Sequence, residues 1–182
     1  MSSLVTSIQR LANGCEMLNE WLGRTVSWLS LLMVLVTVVV AVLRYAFDLG
    51  WIWLQESVTF MHATLFLLGA AYTLKCEGHV RVDIIYKRFS DRGRAWIDLI
   101  GTLTLLMPMC LFIFFISWDY VVSSWALFEG SREAGGLDGV FLLKSLILVM
   151  AGLLLLQGIA MVVKNLGKLL GWQAVPLTEH KN

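Results

Sequence analysis

The chain has 182 residues, 58% of them apolar and 15% charged, with a formal net charge of +1. Soluble domains carry about 25% charged residues, and a chain of this size has too little interior to hide so much hydrocarbon from water, so the composition requires a bilayer as solvent. Near-neutral charge gives no indication of nucleic-acid binding, and Cys15, Cys76 and Cys110, widely spaced with no C-x-x-C, indicate neither a disulfide framework nor a zinc site.

Residues 1–24 place Leu4, Ile8, Leu11, Cys15, Leu18 and Leu22 on one helical stripe, with Gln9, Arg10, Asn13, Glu16 and Glu20 elsewhere around it. Two readings stand: an amphipathic helix on the membrane surface, or a soluble extension of the first span packed on neighbouring loops. Asn13-Gly14 is a breakpoint for either. The apolar run 25–43 follows, ending at Arg44, Tyr45 and Phe47. At about 19 residues it exceeds the ~7–15 of a cleavable signal's apolar region, so it is expected to be retained as the first span.

A short connection with a turn at Leu49-Gly50 leads past Trp51 and Trp53, residues suited to an interfacial aromatic belt. The second span is expected over residues 57–74 and the third over 99–118, bounded by Asp98 and Asp119. Pro108, near the middle of the third, cannot donate to the carbonyl of Thr104, so a kink or a locally re-satisfied backbone is expected there. A polar loop, 129–138, contains Gly130, Gly135 and Gly136, and the fourth span covers 140–163, with Lys144 able to snorkel near its start. Four spans of ~20 residues at 1.5 Å rise each reach about 30 Å, the thickness of the hydrocarbon layer. The expected fold is an all-α integral membrane protein. Residues 25–164 form four transmembrane helices in an antiparallel bundle, joined by an amphipathic N-terminal segment, a basic loop and a tail over 165–182.

Eleven of the fourteen basic residues fall on the side shared by the N-terminal segment, the 75–98 loop and the tail; Arg44, Arg132 and Lys144 fall on the other. The positive-inside rule then makes both termini and the 75–98 loop cytoplasmic.

Ionisable groups deep in the membrane mark autonomous transport chemistry, and few occur here. Glu56 and Arg44 lie at the outer edge, where they are expected to pair across the first connection; an exposed pair contributes about 0–1 kcal/mol. His62, about 9 Å along the helix from Glu56, has no second histidine at depth to complete a haem site, since His79 is in the basic loop and His180 in the tail. It reads as a packing residue. Gln157 reads as an interhelical hydrogen bond, typically ~0.6 kcal/mol in membranes. No phosphate-binding loop, zinc pair or activated nucleophile is present in the sequence. The second span carries a seam of mostly small or polar residues, Glu56, Thr59, Ala63, Phe66, Ala70 and Thr73, thinned further by Gly69-Ala70-Ala71. Such a seam favours close helix packing, against another span of this chain by default or against a separate protein. The segment 80–94, with Ile84, Ile85 and Phe89 among Arg81, Lys87, Arg88, Arg92 and Arg94, suits either an interfacial helix on anionic lipid or a topology-setting loop.

Trp53, Glu56 and Ser57 at the head of the second span, Gly69-Ala70-Ala71-Tyr72 at its end, and Lys75, Gly78 and His79-Val80-Arg81-Val82-Asp83 after it resemble the small membrane subunit of the tripartite ATP-independent periplasmic (TRAP) transporters. The likeness extends over the four-span layout from about Thr25 to Lys164. It implies a non-catalytic subunit of the bacterial inner membrane without cofactor or metal. Such a subunit is a scaffold for a large permease subunit in sodium-driven, binding-protein-dependent uptake of an organic acid or related solute. It further implies a partner interface among Trp53, Glu56, Thr59, Ala63, Gly69, Ala70, Tyr72 and Thr73, a cytoplasmic motif at His79, Arg81 and Asp83, and a periplasmic loop carrying Glu129, Arg132 and Glu133. The loop sequence Glu129-Gly-Ser-Arg-Glu-Ala-Gly-Gly-Leu resembles the branch associated with 2-oxo acids, mannitol or chloroaromatic compounds. Because the chain ends soon after its fourth span, the large subunit is expected to be a separate protein. The alternatives are an autonomous four-span transporter or channel acting as a homo-oligomer, and a membrane anchor for a redox enzyme.

Overall fold

A computed structural model describes residues 2–76, 78, 86 and 88–172. Among the described residues every regular element is helical and none is a strand: α1 (Ser2–Phe47), α2 (Ile52–Lys75), α3 (Asp91–Gly101), a π-helical turn (Thr102–Leu106), α4 (Met107–Ala126) and α5 (Val140–Leu170). Four helical segments, with α3, the π turn and α4 counted as one, are long and apolar enough to cross a membrane.

The helix boundaries follow local chemistry. α1 runs through Asn13-Gly14 unbroken, so the N-terminal segment and the first span form one rod of 46 residues, about 69 Å at 1.5 Å per residue. It stops at Asp48, whose φ of 56° is left-handed, a conformation that Asp tolerates better than most residues. The N–H of Leu49 folds back onto the carbonyl of Leu43 at 3.0 Å. α3 begins at Ser90, whose hydroxyl accepts from the Gly93 N–H at 3.3 Å, with Asp91 in the positively polarised first turn. Arg92 and Arg94 thus belong to the start of the third membrane segment; the remainder of the basic loop, 79–85 and 87, lies outside the described residues. α5 ends at Gly171 in the left-handed region (φ 68°), with the Trp172 N–H on the carbonyl of Gly167 at 2.9 Å, a glycine C-cap.

The disturbance expected at Pro108 appears one turn earlier. The N–H of Met107 bonds the carbonyl of Thr102, five residues back, so the helix takes in an extra residue before the proline, where no donor exists. Thr102 and Thr104 donate their hydroxyls to the carbonyls of Asp98 and Ile100 at 2.7 and 2.8 Å, and such back-bonding is tolerated where a helix bends.

α5 is the axis. It packs against every other helix, whereas α1 and α2 pack on each other and the α3–α4 segment reaches them chiefly through α5. Apart from Leu153, its buried positions are small or polar: Ala151, Gln157, Gly158, Ala160, Asn165 and Gly167. The lipid-side apolar residues stay exposed, most plainly Trp28, Leu31, Leu32, Leu35, Val38 and Val42 along α1.

The inward stripe of α1 is the reverse of what soluble packing would select. Ala12, Glu16, Asn19, Gly23 and Val26 are buried, while Leu11, Leu18 and Trp21 face outward. Asn19 donates to Oε1 of Gln157 at 2.9 Å, Glu16 pairs with Lys164 at 2.5 Å, and Glu20 receives Lys75 at 2.5 Å and Arg24 at 2.6 Å. A Cβ on Gly23 would overlap the Cβ and Cγ of Tyr72, so this glycine lets α2 approach α1 closely. Helix association in lipid has no hydrophobic drive and depends on such contacts. The Glu16 side chain is only 4% exposed, and a buried carboxylate stripped of its cation costs about 3–5 kcal/mol. Lys164→Met is therefore expected to lower Tm in detergent by several degrees, and adding Glu16→Gln to restore most of the loss. A single variant as stable as the parent would show that the pair holds nothing together.

Candidate functional site

The eight second-span residues nominated from sequence divide between two environments. Trp53, Thr59 and Thr73 are exposed, and Ala63, Gly69 and Ala70 are half-buried beside them. Tyr72 and Glu56 turn inward, Tyr72 against Gly23 of α1 and Glu56 into the loop after α4. The seam is therefore not buried within this chain. The outward stripe runs Gln55, Thr59, His62, Phe66, Gly69 and Thr73, at alternating four- and three-residue spacing. A Cβ on Gly69 would meet no atom within 4 Å. Thr73 returns its hydroxyl to the carbonyl of Gly69 at 3.0 Å. His62 is on this exposed stripe, its ring stacked on Phe66 with centroids 6.3 Å apart, and so is not the internal packing residue expected. Its helical register with Thr59 and Phe66 was the available signal.

Glu56 does not pair with Arg44. One carboxylate oxygen accepts from the Ser131 hydroxyl and the other from the Leu137 N–H at 2.6 Å, while Arg44 is exposed. Loop residues 75 and 81 positions downstream offer two fixed donors to this carboxylate, and no short-range pattern announces them. Gly136 closes against this carboxylate: a Cβ there would stand 2.7 Å from Oε2 of Glu56.

The loop is folded on itself as well. The Ser131 N–H bonds the Leu137 carbonyl at 3.0 Å, and the Gly136 N–H bonds that of Glu133 at 3.0 Å. Glu129 is turned inward: Lys144 Nζ donates to it at 2.5 Å and Ser124 Oγ at 2.7 Å. These bonds, Lys144 foremost, hold the Glu129 carboxyl below its ordinary pKa, with Arg132 adding to the same field. Lys144 does not snorkel to open water; its ammonium also lies 3.9 Å from the centre of the Tyr120 ring. Of the loop residues singled out, Glu129 fastens the loop, and Arg132 and Glu133 remain exposed on its surface. His79, Arg81 and Asp83 lie outside the described residues. Among those described, no three His, Cys, Asp or Glu side chains cluster as a metal site.

Comparison with known proteins matches residues 33–168 to the family of tripartite ATP-independent periplasmic transporters, DctQ component. The C4-dicarboxylate TRAP transporter small permease protein DctQ of Vibrio cholerae serotype O1 is 28% identical over 88 residues, covering 48% of this chain and 38% of that protein. No solved structure matches. The family match spans well over half of the chain, includes all or part of each of the four membrane-crossing segments and runs through both the outward stripe of α2 and the loop; the chain belongs to the DctQ component family of the tripartite ATP-independent periplasmic transporters.

Proposed function

We propose that this chain is the non-catalytic scaffold subunit of a TRAP transporter of the bacterial inner membrane. It holds a separate large permease subunit, which moves an organic acid with sodium after delivery by a periplasmic binding protein. The carrying observation is the outward stripe of α2. A helix facing lipid is expected to show what α1 shows, Trp28, Leu32, Leu35 and Val42. α2 instead presents Thr59, His62 and Thr73 around an open Gly69. An imidazole facing hydrocarbon is costly, and small residues with hydroxyls are the material of helix–helix contact in membranes. Another protein covering this stripe accounts for both. The exposed Arg132 and Glu133 on a loop clipped to the bundle form the candidate landing surface for the binding protein. The substrate class follows the relative's name, a C4-dicarboxylate, or a similar organic acid. His79, Arg81 and Asp83 are assigned to the cytoplasmic side with both termini, on the strength of the charge asymmetry.

Gly69→Leu tests the interface without touching this chain's own packing. Tm of the isolated chain is expected to stay unchanged, and recovery of the large subunit in a pull-down to fall about tenfold, a loss of ~1.4 kcal/mol. Undiminished co-purification would return the stripe to the lipid. Substrate accumulation in proteoliposomes is expected only when the large subunit and binding protein are both supplied; accumulation by this chain alone would favour the homo-oligomeric transporter.

Reporter fusions at Gly50 and Gly135 are expected to read periplasmic and one at Ser90 cytoplasmic. The inverse pattern would reverse the topology.

The loop should loosen in acid. A carboxyl whose pKa is depressed on folding stabilises the fold above its unfolded value of about 4.3, and the contribution is lost as pH falls through the lower folded value. Hydrogen-exchange protection over residues 129–137, corrected for intrinsic rates, is expected to hold from neutrality to about pH 5 and to decay below about pH 4. In Glu129→Gln, protection should be weaker at neutral pH and the part of the decay due to this carboxyl absent. The same acid profile in the variant would remove Glu129 as the cause.

A further inference from the structure

Two hydrogen-bonding groups at the middle of α2 are left unused by this chain. Thr25, Thr37, Thr64, Thr73, Thr102 and Thr104 each return the hydroxyl to the carbonyl four residues back, which satisfies a hydroxyl within its own helix. Thr59 does not. It is exposed, and among the described residues nothing receives its hydroxyl. His62, on the next turn, is exposed as well. Its ring stacks on Phe66, but among the described residues neither ring nitrogen makes a hydrogen bond. Positions three apart on a helix share one face, with Cβ atoms about 5–6 Å apart. Measured along α2 from Ile52, Thr59 and His62 stand about 10 and 15 Å in, inside a hydrocarbon layer of about 30 Å. Neither water nor headgroups satisfy a polar group at that depth.

We infer that His62 and Thr59 together hold one carboxylate, carried at mid-membrane by a helix of the large permease subunit; this rests on the proposal that that subunit covers the α2 stripe. The imidazole N–H and the hydroxyl are two donors on one side of a helix, and a carboxylate is a two-oxygen acceptor. This chain holds its own carboxylates by the same pairing of one hydroxyl with one nitrogen donor. Glu56 takes the Ser131 hydroxyl and the Leu137 N–H, and Glu129 takes the Ser124 hydroxyl and the Lys144 ammonium. A second copy of the chain has no such group to offer. No Asp or Glu occurs in residues 21–47, 57–76, 99–118 or 139–178, which include the interior of every span. Lipid does not supply one either, since its anionic groups lie at the headgroups. The acceptor therefore belongs to a different membrane protein. A carboxylate at this depth is unfavourable unless paired within protein, so one contact satisfies the donors here and the acid on the partner. Gly69, about two turns further along and open to its surroundings, lets that helix come close.

The test uses the complex of this chain with the large subunit, co-expressed and extracted in mild detergent. Gly69→Leu asks whether the stripe is the interface at all. Full recovery of the large subunit with that variant ends the proposed interface, and this inference with it. With the interface standing, His62→Leu is expected to lower recovery of the large subunit about tenfold and Thr59→Val about threefold, both at unchanged Tm of the isolated chain. Parental recovery in either variant overturns the pair and leaves the interface in place. The carboxylate is read separately, in membranes carrying the His62→Lys variant. There dicyclohexylcarbodiimide activates carboxyl groups within the bilayer for amide formation with a neighbouring amine. The expected product is this chain joined at position 62 to an Asp or Glu of the large subunit, mapped by mass spectrometry and absent from the parent. Thr59→Lys carries the amine should the first variant not retain the large subunit. No joined product from a lysine variant that still co-purifies the large subunit overturns the carboxylate, and so does a product joining two copies of this chain.

Discussion

The structure depends on a patch of polar side chains buried where α1, α2 and α5 converge. In water, apolar stripes pull helices together. In a bilayer the surrounding chains are as apolar as leucine, so only close packing and hydrogen bonds distinguish one helix face from another. Here the Asn19–Gln157 bond, the Glu16–Lys164 and Glu20–Lys75 pairs and the Gly23–Tyr72 contact supply that distinction in a few turns of helix. Glu16, Asn19 and Gln157 are buried here, and each would cost about 1–3 kcal/mol, more for the charged one, if left without its partner. The junction is thus selected by what its failure would expose as much as by what its bonds contribute.

That constraint explains the inversion of α1. Leu11, Leu18 and Trp21 lie outward because lipid and the headgroup region accept them, and Glu16 and Asn19 lie inward because nothing outside does. The same rule, applied to α2, leaves a residue. Its inward positions are occupied by Ala71, Tyr72 and, at the far end, Glu56, yet its outward positions still carry Thr59, His62 and Thr73. α1 exposes hydroxyls too, at Ser27, Ser30 and Thr37, each returned to a carbonyl of its own helix, but it exposes no imidazole, and α2 exposes His62. That difference is what supports the proposed partner face on α2.

How far the sequence carried this picture depended on the range of each interaction. The number of helices long and apolar enough to cross a membrane was legible because a run of apolar residues is a local fact, and Gln157 was legible because an amide in a span has few alternatives to an interhelical bond. The family likeness rested on contiguous runs around Trp53 and His79. The orientation of α1's stripe was not legible, since a helical period gives the same signal whether the apolar side faces a core or a bilayer. Glu56 was assigned the nearest cation, Arg44, when its partners are a serine and a backbone amide across the fold; a backbone N–H leaves no mark in a sequence. Pro108 announced a disturbance but not its form, because the extra residue is accommodated upstream, where Gly101 and two back-bonding threonines make it cheap.

In the scaffold role proposed above, a wall against which another subunit moves must fix the rotation of its helices about their own axes. Apolar contacts do this poorly, since one leucine face packs much like the next. α2 is held at both ends by contacts that have one solution each. Near its C-terminus, Tyr72 fits only against the bare backbone of Gly23; near its N-terminus, the Glu56 carboxylate takes Ser131 with one oxygen and Leu137 with the other. The two anchors lie sixteen residues apart on the same chain, about 24 Å along the axis, and both point inward. With the ends pinned in this sense, the intervening stripe from Thr59 to Gly69 has its direction set, on the side away from both anchors. The few polar groups in a chain of this composition thus fix the orientation of α2, as the proposed scaffold role requires.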